Sequence, residues 1–129
     1  MILNLTQDKA TKDQLEAGVF DLPDEQQVKL KELLTFDELP TMRQLRERAA
    51  ALTELAYDAL YNKDDGDIIT DEVMVGGAPF FMSYLENFLR RKGLRPLYAF
   101  SRHVSEEVVD AGVTVRKISV SKHEGFIPT

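Results

Sequence analysis

At 129 residues, 43% of them hydrophobic, the chain is sized for one domain spanning 1–129 with an ordinary core. The absence of cysteine excludes a disulfide framework, a thiolate zinc site and a cysteine nucleophile, and the formal net charge of −6 argues against a protein that coats long nucleic acids. The start, MILNLTQDKA, has no basic leader pattern, and no run approaches the 18 apolar residues of a membrane span, so a soluble cytoplasmic protein without membrane contact is expected.

Ile2-Leu3-Asn4-Leu5 is a short apolar run that only a strand accommodates. Thr11 is placed to cap a short helix over Lys12 to Ala17, with Gly18 as its stop, and Val19 to Leu22 reads as a second strand. Pro23-Asp24-Glu25 opens a helix to about Leu34, where Val28, Leu30, Leu33 and Leu34 form an apolar stripe. Pro40 closes a loop, and Leu45, Ala49, Leu52, Leu55, Ala56 and Leu60 predict a longer helix from Thr41 to about Tyr61.

Asn62 to Asp67 is a polar, acidic break and the expected mobile loop. Its carboxylates, with Asp71, lack the alternation and closing Glu of a calcium loop, so a solvated turn is expected rather than a metal site. Ile68 to Val75 predicts a buried parallel strand, Pro79 to Lys92 a helix ended by Gly93, and Arg95 to Phe100 another strand. Strand, glycine loop, helix and strand make a βαβ unit. Ser105 to Val109 and Gly112 to Val120, joined by Asp110-Ala111-Gly112, predict an antiparallel hairpin at the sheet edge. The fold class is therefore α/β, with a mainly parallel sheet flanked by helices and a C-terminal antiparallel hairpin.

The charge divides unevenly along this order. Residues 1–71 carry 8 basic and 16 acidic side chains, whereas residues 72–129 carry 8 basic and 6 acidic. An anionic ligand is expected to meet the C-terminal half, unless the acids are simply the solvated faces of long helices.

In an open α/β sheet, ligands bind beyond the carboxyl ends of the parallel strands. Three segments are expected to meet there: Asn4 to Asp8, Gly76-Gly77-Ala78, and Ser101-Arg102-His103. The glycine pair has two readings, a turn that needs positive φ or an exposed backbone floor for an anion at the start of the next helix. Arg102 offers a bidentate phosphate fork, His103 a proton carrier and Ser101 a hydroxyl, or all three begin a solvated loop. A triad of Ser101, His103 and Glu106 has poor geometry as near neighbours. Phe80, Phe81, Met82 and Tyr84 read as core, with Phe80 near enough to the glycines to touch a ligand, and His123 reads as a hairpin-edge residue. GGAP is neither GxGxxG nor a Walker loop, so the usual NAD and ATP fingerprints are missing.

The ordered segments NLTQ, DLP, GGAPFFM, LYAFSRHVSEEV and VRKISVSKHEGF resemble small phage and prophage proteins, and also stand-alone CRISPR-ancillary proteins with a CARF-like, Rossmann-like fold. The resemblance covers most of the chain, the helices at 23–61 matching only in general character. It implies a homodimer that binds a cyclic oligoadenylate second messenger of type III CRISPR defence and sequesters it, without cofactor or metal. The motif positions carry over to Thr6, Gln7, Gly76, Gly77, Ala78, Ser101 and Arg102, with Asp8 and Phe80 beside them. The alternative is a metal-independent ring nuclease using Arg102 and His103. Relatives often have His where this chain has Asp8, a departure that favours holding the ring over cutting it. A further alternative is a phage interaction protein that takes no nucleotide and docks through its acidic helices at 23–61.

Overall fold

The computed structural model describes the backbone of residues 1–110 and 114–129 and the side chains of 1–105 and 118–129. In chain order the elements are β1 (Ile2–Asn4), α1 (Lys12–Glu16), β2 (Val19–Asp21), α2 (Asp24–Leu34), α3 (Met42–Leu60), β3 (Tyr61–Asn62), β4 (Asp67–Ile68), β5 (Glu72–Met74), α4 (Pro79–Arg91), β6 (Arg95–Asp110) and β7 (Thr114–Pro128). Strands β2, β1, β5 and β6 lie side by side and parallel, and β7 closes the edge antiparallel to β6.

Local chemistry sets the helix boundaries. Thr11 and Thr41 each accept a hydrogen bond from the backbone N–H of the glutamine three residues on, and Gln14 and Gln44 bond back to the cap N–H, two complete capping boxes. Pro79 starts α4 where its missing N–H costs nothing, and Gly93, at φ 84°, ends it.

Side-chain alternation gives the sheet two apolar faces. Leu3, Leu5, Val73 and Val75 pack under α2, α3 and α4 against Leu30, Leu34, Leu52, Leu60, Phe81, Leu85 and Leu89. Ile2, Val19, Met74 and Leu97 point the other way, with the partly buried Ala10 and Phe126 packed against them. After β1 the chain adds β2 on one side and then returns to add β5 on the other, so the order reverses between β1 and β5. Such reversals are where open α/β sheets form ligand crevices.

Two expectations require correction. The strand expected over Ile68 to Val75 is broken: Asp67 and Ile68 pair antiparallel with Asn62 and Tyr61, and only Glu72–Met74 joins the main sheet. Gly66 at φ 68° turns the chain, Asn62 bonds Asp64 and Asp65, and Thr70 donates to the Met1 carbonyl while accepting from the Glu72 N–H. The expected mobile acidic loop is thus the tip of a small hairpin.

The second correction concerns β6. The sequence predicts a strand ending at Phe100, a loop at Ser101 to His103 and a separate hairpin. Instead β6 and β7 form one continuous ribbon, paired from Leu97↔Pro128 to Asp110↔Thr114. The hairpin turn expected at Asp110-Ala111-Gly112 falls mostly on 111–113, outside the described residues. Backbone pairing with β7 carries β6 past the point where its own apolar run stops.

Candidate ligand site

The loop leaving β1 is held by one buried side chain. Asn4 is 2% exposed and donates through Nδ2 to the Asp8 carbonyl and to Asp21 Oδ1, both at 2.8 Å. Its Oδ1 accepts the Thr6 N–H at 2.9 Å and the Thr6 hydroxyl at 2.7 Å. Asp21 lies opposite Asn4 on β2 and also accepts from the Ala10 N–H at 3.0 Å. A short loop thereby acquires a fixed shape, since a buried amide loses net stability when any of these partners is missing.

Beside this loop, at the reversal between β1 and β5, lies an open cleft of about 350 Å³. Met74, Val75, Gly76, Tyr98 and Ala99 supply its sheet side, and Thr6, Asp8, Lys9, Thr11 and Gln14 its rim. That volume suits a nucleotide-sized group. The rim offers hydroxyls, one carboxylate and one ammonium. Lys9 pairs with Asp24 at 3.3 Å, but both side chains are largely exposed and the pair is weak, so an incoming anion can compete for the ammonium.

The two glycines have different reasons for being glycine. Gly77 has φ +150°, a conformation that residues with a Cβ rarely adopt, and it faces Met82 and Leu34. Gly76 has no such constraint, and a Cβ there would meet Thr6 Cγ2 at an ordinary 3.4 Å. Gly77 answers to the turn, whereas Gly76 keeps the cleft side free of a side chain.

The structure divides the sequence-predicted residues into three groups. Thr6, Asp8 and Gly76 line the cleft. Gln7, Gly77, Ala78 and Phe80 belong to the helical side: Gln7 donates to the Leu34 carbonyl and Thr35 Oγ1, Ala78 packs against the core, and Phe80 meets Phe36 edge-on at 5.1 Å. Phe80 remains 52% exposed, on that side of the strand ends.

Ser101, Arg102 and His103 form the third group, in mid-strand on the ribbon and outside the cleft lining. They pair with His123, Lys122 and Ser121 respectively, and all three side chains are exposed. Alternation puts Ser101 and His103 on the face of Ala99 and turns Arg102 to the other face. The phosphate fork expected beside the glycines therefore lies on the face opposite Ala99 and outside the cleft lining that includes Gly76.

Sequence reasoning missed Lys9, Gln14, Met74, Tyr98 and Ala99 as cleft residues, and Asn4 as the organiser of its loop. A signal existed for Thr11 and Gln14, whose capping spacing fixes where α1 begins. Tyr98 ties β6 to α4: its hydroxyl donates to Glu86 Oε2 at 2.9 Å, and Glu86 also holds Arg90 at 2.9 Å. Burial, with the hydrogen bond to Glu86 and its negative charge, pushes the Tyr98 phenol from 10.0 up to about 12, against a smaller opposing effect of Arg90.

Among the described residues, no three carboxylate or imidazole groups converge as metal ligands, and no helix is long and apolar enough to cross a membrane. A family model described as "Uncharacterized protein MJ1673 family" matches residues 1–127. No curated protein and no solved structure matches the chain.

Proposed function

As a member of the MJ1673 family over nearly its whole length, the chain has a site that can be read from its own chemistry, and we propose that it binds a cyclic oligoadenylate-type second messenger at the cleft between β1 and β5 and sequesters it. The carrying observation is the open cleft at the strand-order reversal, with Gly76 free of backbone constraint and the loop of Thr6 and Asp8 already fixed by Asn4. The sequence resemblance to CARF-like proteins supplies the ligand class, and the mostly parallel sheet is compatible with a Rossmann-like relationship.

In this reading one nucleotide enters the cleft. Its sugar hydroxyls meet Thr6 and the Asp8 carboxylate, and its phosphate meets Lys9 and the backbone at Gly76. A preformed rim lowers the ordering cost of binding. Two copies related by a two-fold axis place two such clefts on one cyclic ligand, which makes a homodimer the expected binding form. No metal or cofactor is required to hold the ring.

The test is a mobility shift of cyclic tri-, tetra- and hexa-adenylate at micromolar protein, with linear oligoadenylate as control. Retention of at least one cyclic species, with recovery of the intact ring, supports sequestration. Failure to retain any of them removes the reading and leaves protein docking through α2 and α3 as the better account.

A further inference from the structure

The sheet face that floors the cleft runs on into the ribbon. Ala99 lines the cleft, Phe126 pairs with it on β7, and α1, which carries Gln14 of the rim, lies beside β7. Phe100 pairs with Gly125 and Ser101 with His123, so β7 holds one extra residue, Glu124. Residues three apart on a regular strand point to opposite faces, and this bulge brings His123 round to the face of Phe126 instead. The two rings meet at 4.8 Å. His123 is half-buried there, and among the described residues its Nδ1 has no hydrogen-bond partner and is shielded from solvent. The imidazole is held by packing, which suits it to offer a flat surface rather than a hydrogen bond at that atom.

Beyond the bulge, alternation on both strands collects Ser101, His103 and Ser105 with Ser119, Ser121 and His123 on this face. All but His123 are exposed, and Val104 and Val120 take the opposite face. Serine is not among the residues that a pleated surface favours, and four of them here need a reason other than strand propensity. His103 pairs with Ser121 and His123 with Ser101, so the imidazoles are diagonal neighbours with Cα atoms roughly 7–8 Å apart. Side chains stand roughly perpendicular to a sheet, and the rings rise from it at about that separation. A flat base stacked on both sides takes up two intervals of about 3.4 Å, about 7 Å in all. The gap between the imidazoles therefore matches one base. It begins level with Ser101, about 7 Å along β6 from Ala99 at the cleft.

We propose that His103 and His123 form a stacking slot for the base of the nucleotide next to the one in the cleft, with Ser101 and Ser121 bonding the phosphate between the two. This rests on the cleft being the oligonucleotide site, and it deepens sequestration: the ligand is held at two successive nucleotides and no covalent bond is made or broken. Stacking is tolerant of base identity, because every base has a flat face. It is not tolerant of ligand length. A mononucleotide fills the cleft alone, whereas an oligonucleotide also fills the slot, so the ribbon sets the preference for the longer ligand. Arg102 lies on the other face and takes no part.

The test titrates the full chain with cyclic tri-, tetra- and hexa-adenylate, each carrying 2-aminopurine in place of one adenine, whose fluorescence falls when the base stacks. Wild type is expected to bind at least one ring with quenching. His103→Ala is expected to bind that ring about 10-fold or more weakly and with a smaller quench, whereas His103→Phe, which keeps a flat ring, stays within a few-fold of wild type. His103 is exposed, so both variants are expected to keep the wild-type thermal midpoint. Wild-type affinity in His103→Ala, or equal losses in the two variants, overturns the proposal. If Gly76→Leu abolishes binding and His103→Ala does not, the cleft stands and the slot falls. If wild type binds no ring, the cleft reading fails and the slot falls with it.

Discussion

Asn4 Oδ1 and Thr6 are joined twice, by the Thr6 N–H at 2.9 Å and the Thr6 hydroxyl at 2.7 Å, so one buried amide fixes the rim of the cleft. Asn4→Ala removes these bonds and those to Asp8 and Asp21. The expected cost is about 2–3 kcal/mol of unfolding free energy, read from urea denaturation, because the part-buried Thr6 N–H and the Asp8 and Asp21 oxygens each lose a partner. With the rim released, affinity for the cyclic ligand is expected to fall at least about 10-fold. Unchanged stability would show that the amide is not bonded in this way.

The glycine pair separates backbone strain from site access. Gly77→Ala forces a Cβ into φ +150° and is expected to cost about 1–3 kcal/mol. Gly76→Ala should leave stability within about 0.5 kcal/mol of wild type, since its Cβ makes only a normal contact with Thr6. Paired denaturation curves decide the matter, and the reverse ranking would contradict the assignment.

Tyr98 gives the fold an alkaline limit. Its phenol is pushed up to about 12 in the folded protein, so the folded state holds this proton more tightly than the unfolded chain does. The associated stabilisation is fully present below pH 10 and is lost as the pH climbs toward about 12. Tyr98→Phe is expected to be less stable at pH 8 by about 1 kcal/mol, with the difference shrinking above pH 10. A difference independent of pH would mean that the Tyr98–Glu86 bond does not govern the proton.

Much of the architecture was legible because local signals agreed with it. The Thr11 cap, Pro79 and Gly93 place α1 and α4, and the three- and four-residue apolar steps place α2 and α3. The βαβ unit and the antiparallel edge follow the expected order. The length of β6 was hidden, because Ser101-Arg102-His103 shows no apolar alternation and is held in the strand by a partner some 20 residues away. The bulge in β7, where Glu124 is the extra residue between Gly125 opposite Phe100 and His123 opposite Ser101, was equally hidden, since it is a mismatch between two strands rather than a property of either. At the site, Thr6, Asp8 and Gly76 could be found from the rule about strand ends. Asn4 could not, because its burial depends on Asp21 lying opposite on β2. Nor does the letter sequence say which of two adjacent glycines needs its φ and which keeps space open.

The central claim is that the cleft between β1 and β5 holds the cyclic ligand, and its most direct test is a calorimetric titration of wild type and Gly76→Leu with cyclic tetra-adenylate, repeated with the tri- and hexa-adenylate rings. A leucine at 76 projects into the cleft beside Thr6 without requiring an unusual backbone. The expected result is saturable binding by wild type of at least one ring and a loss of about 100-fold or more in Gly76→Leu at unchanged thermal stability, equivalent to about 2.8 kcal/mol. Equal affinity in the two proteins would place the ligand elsewhere and contradict the account.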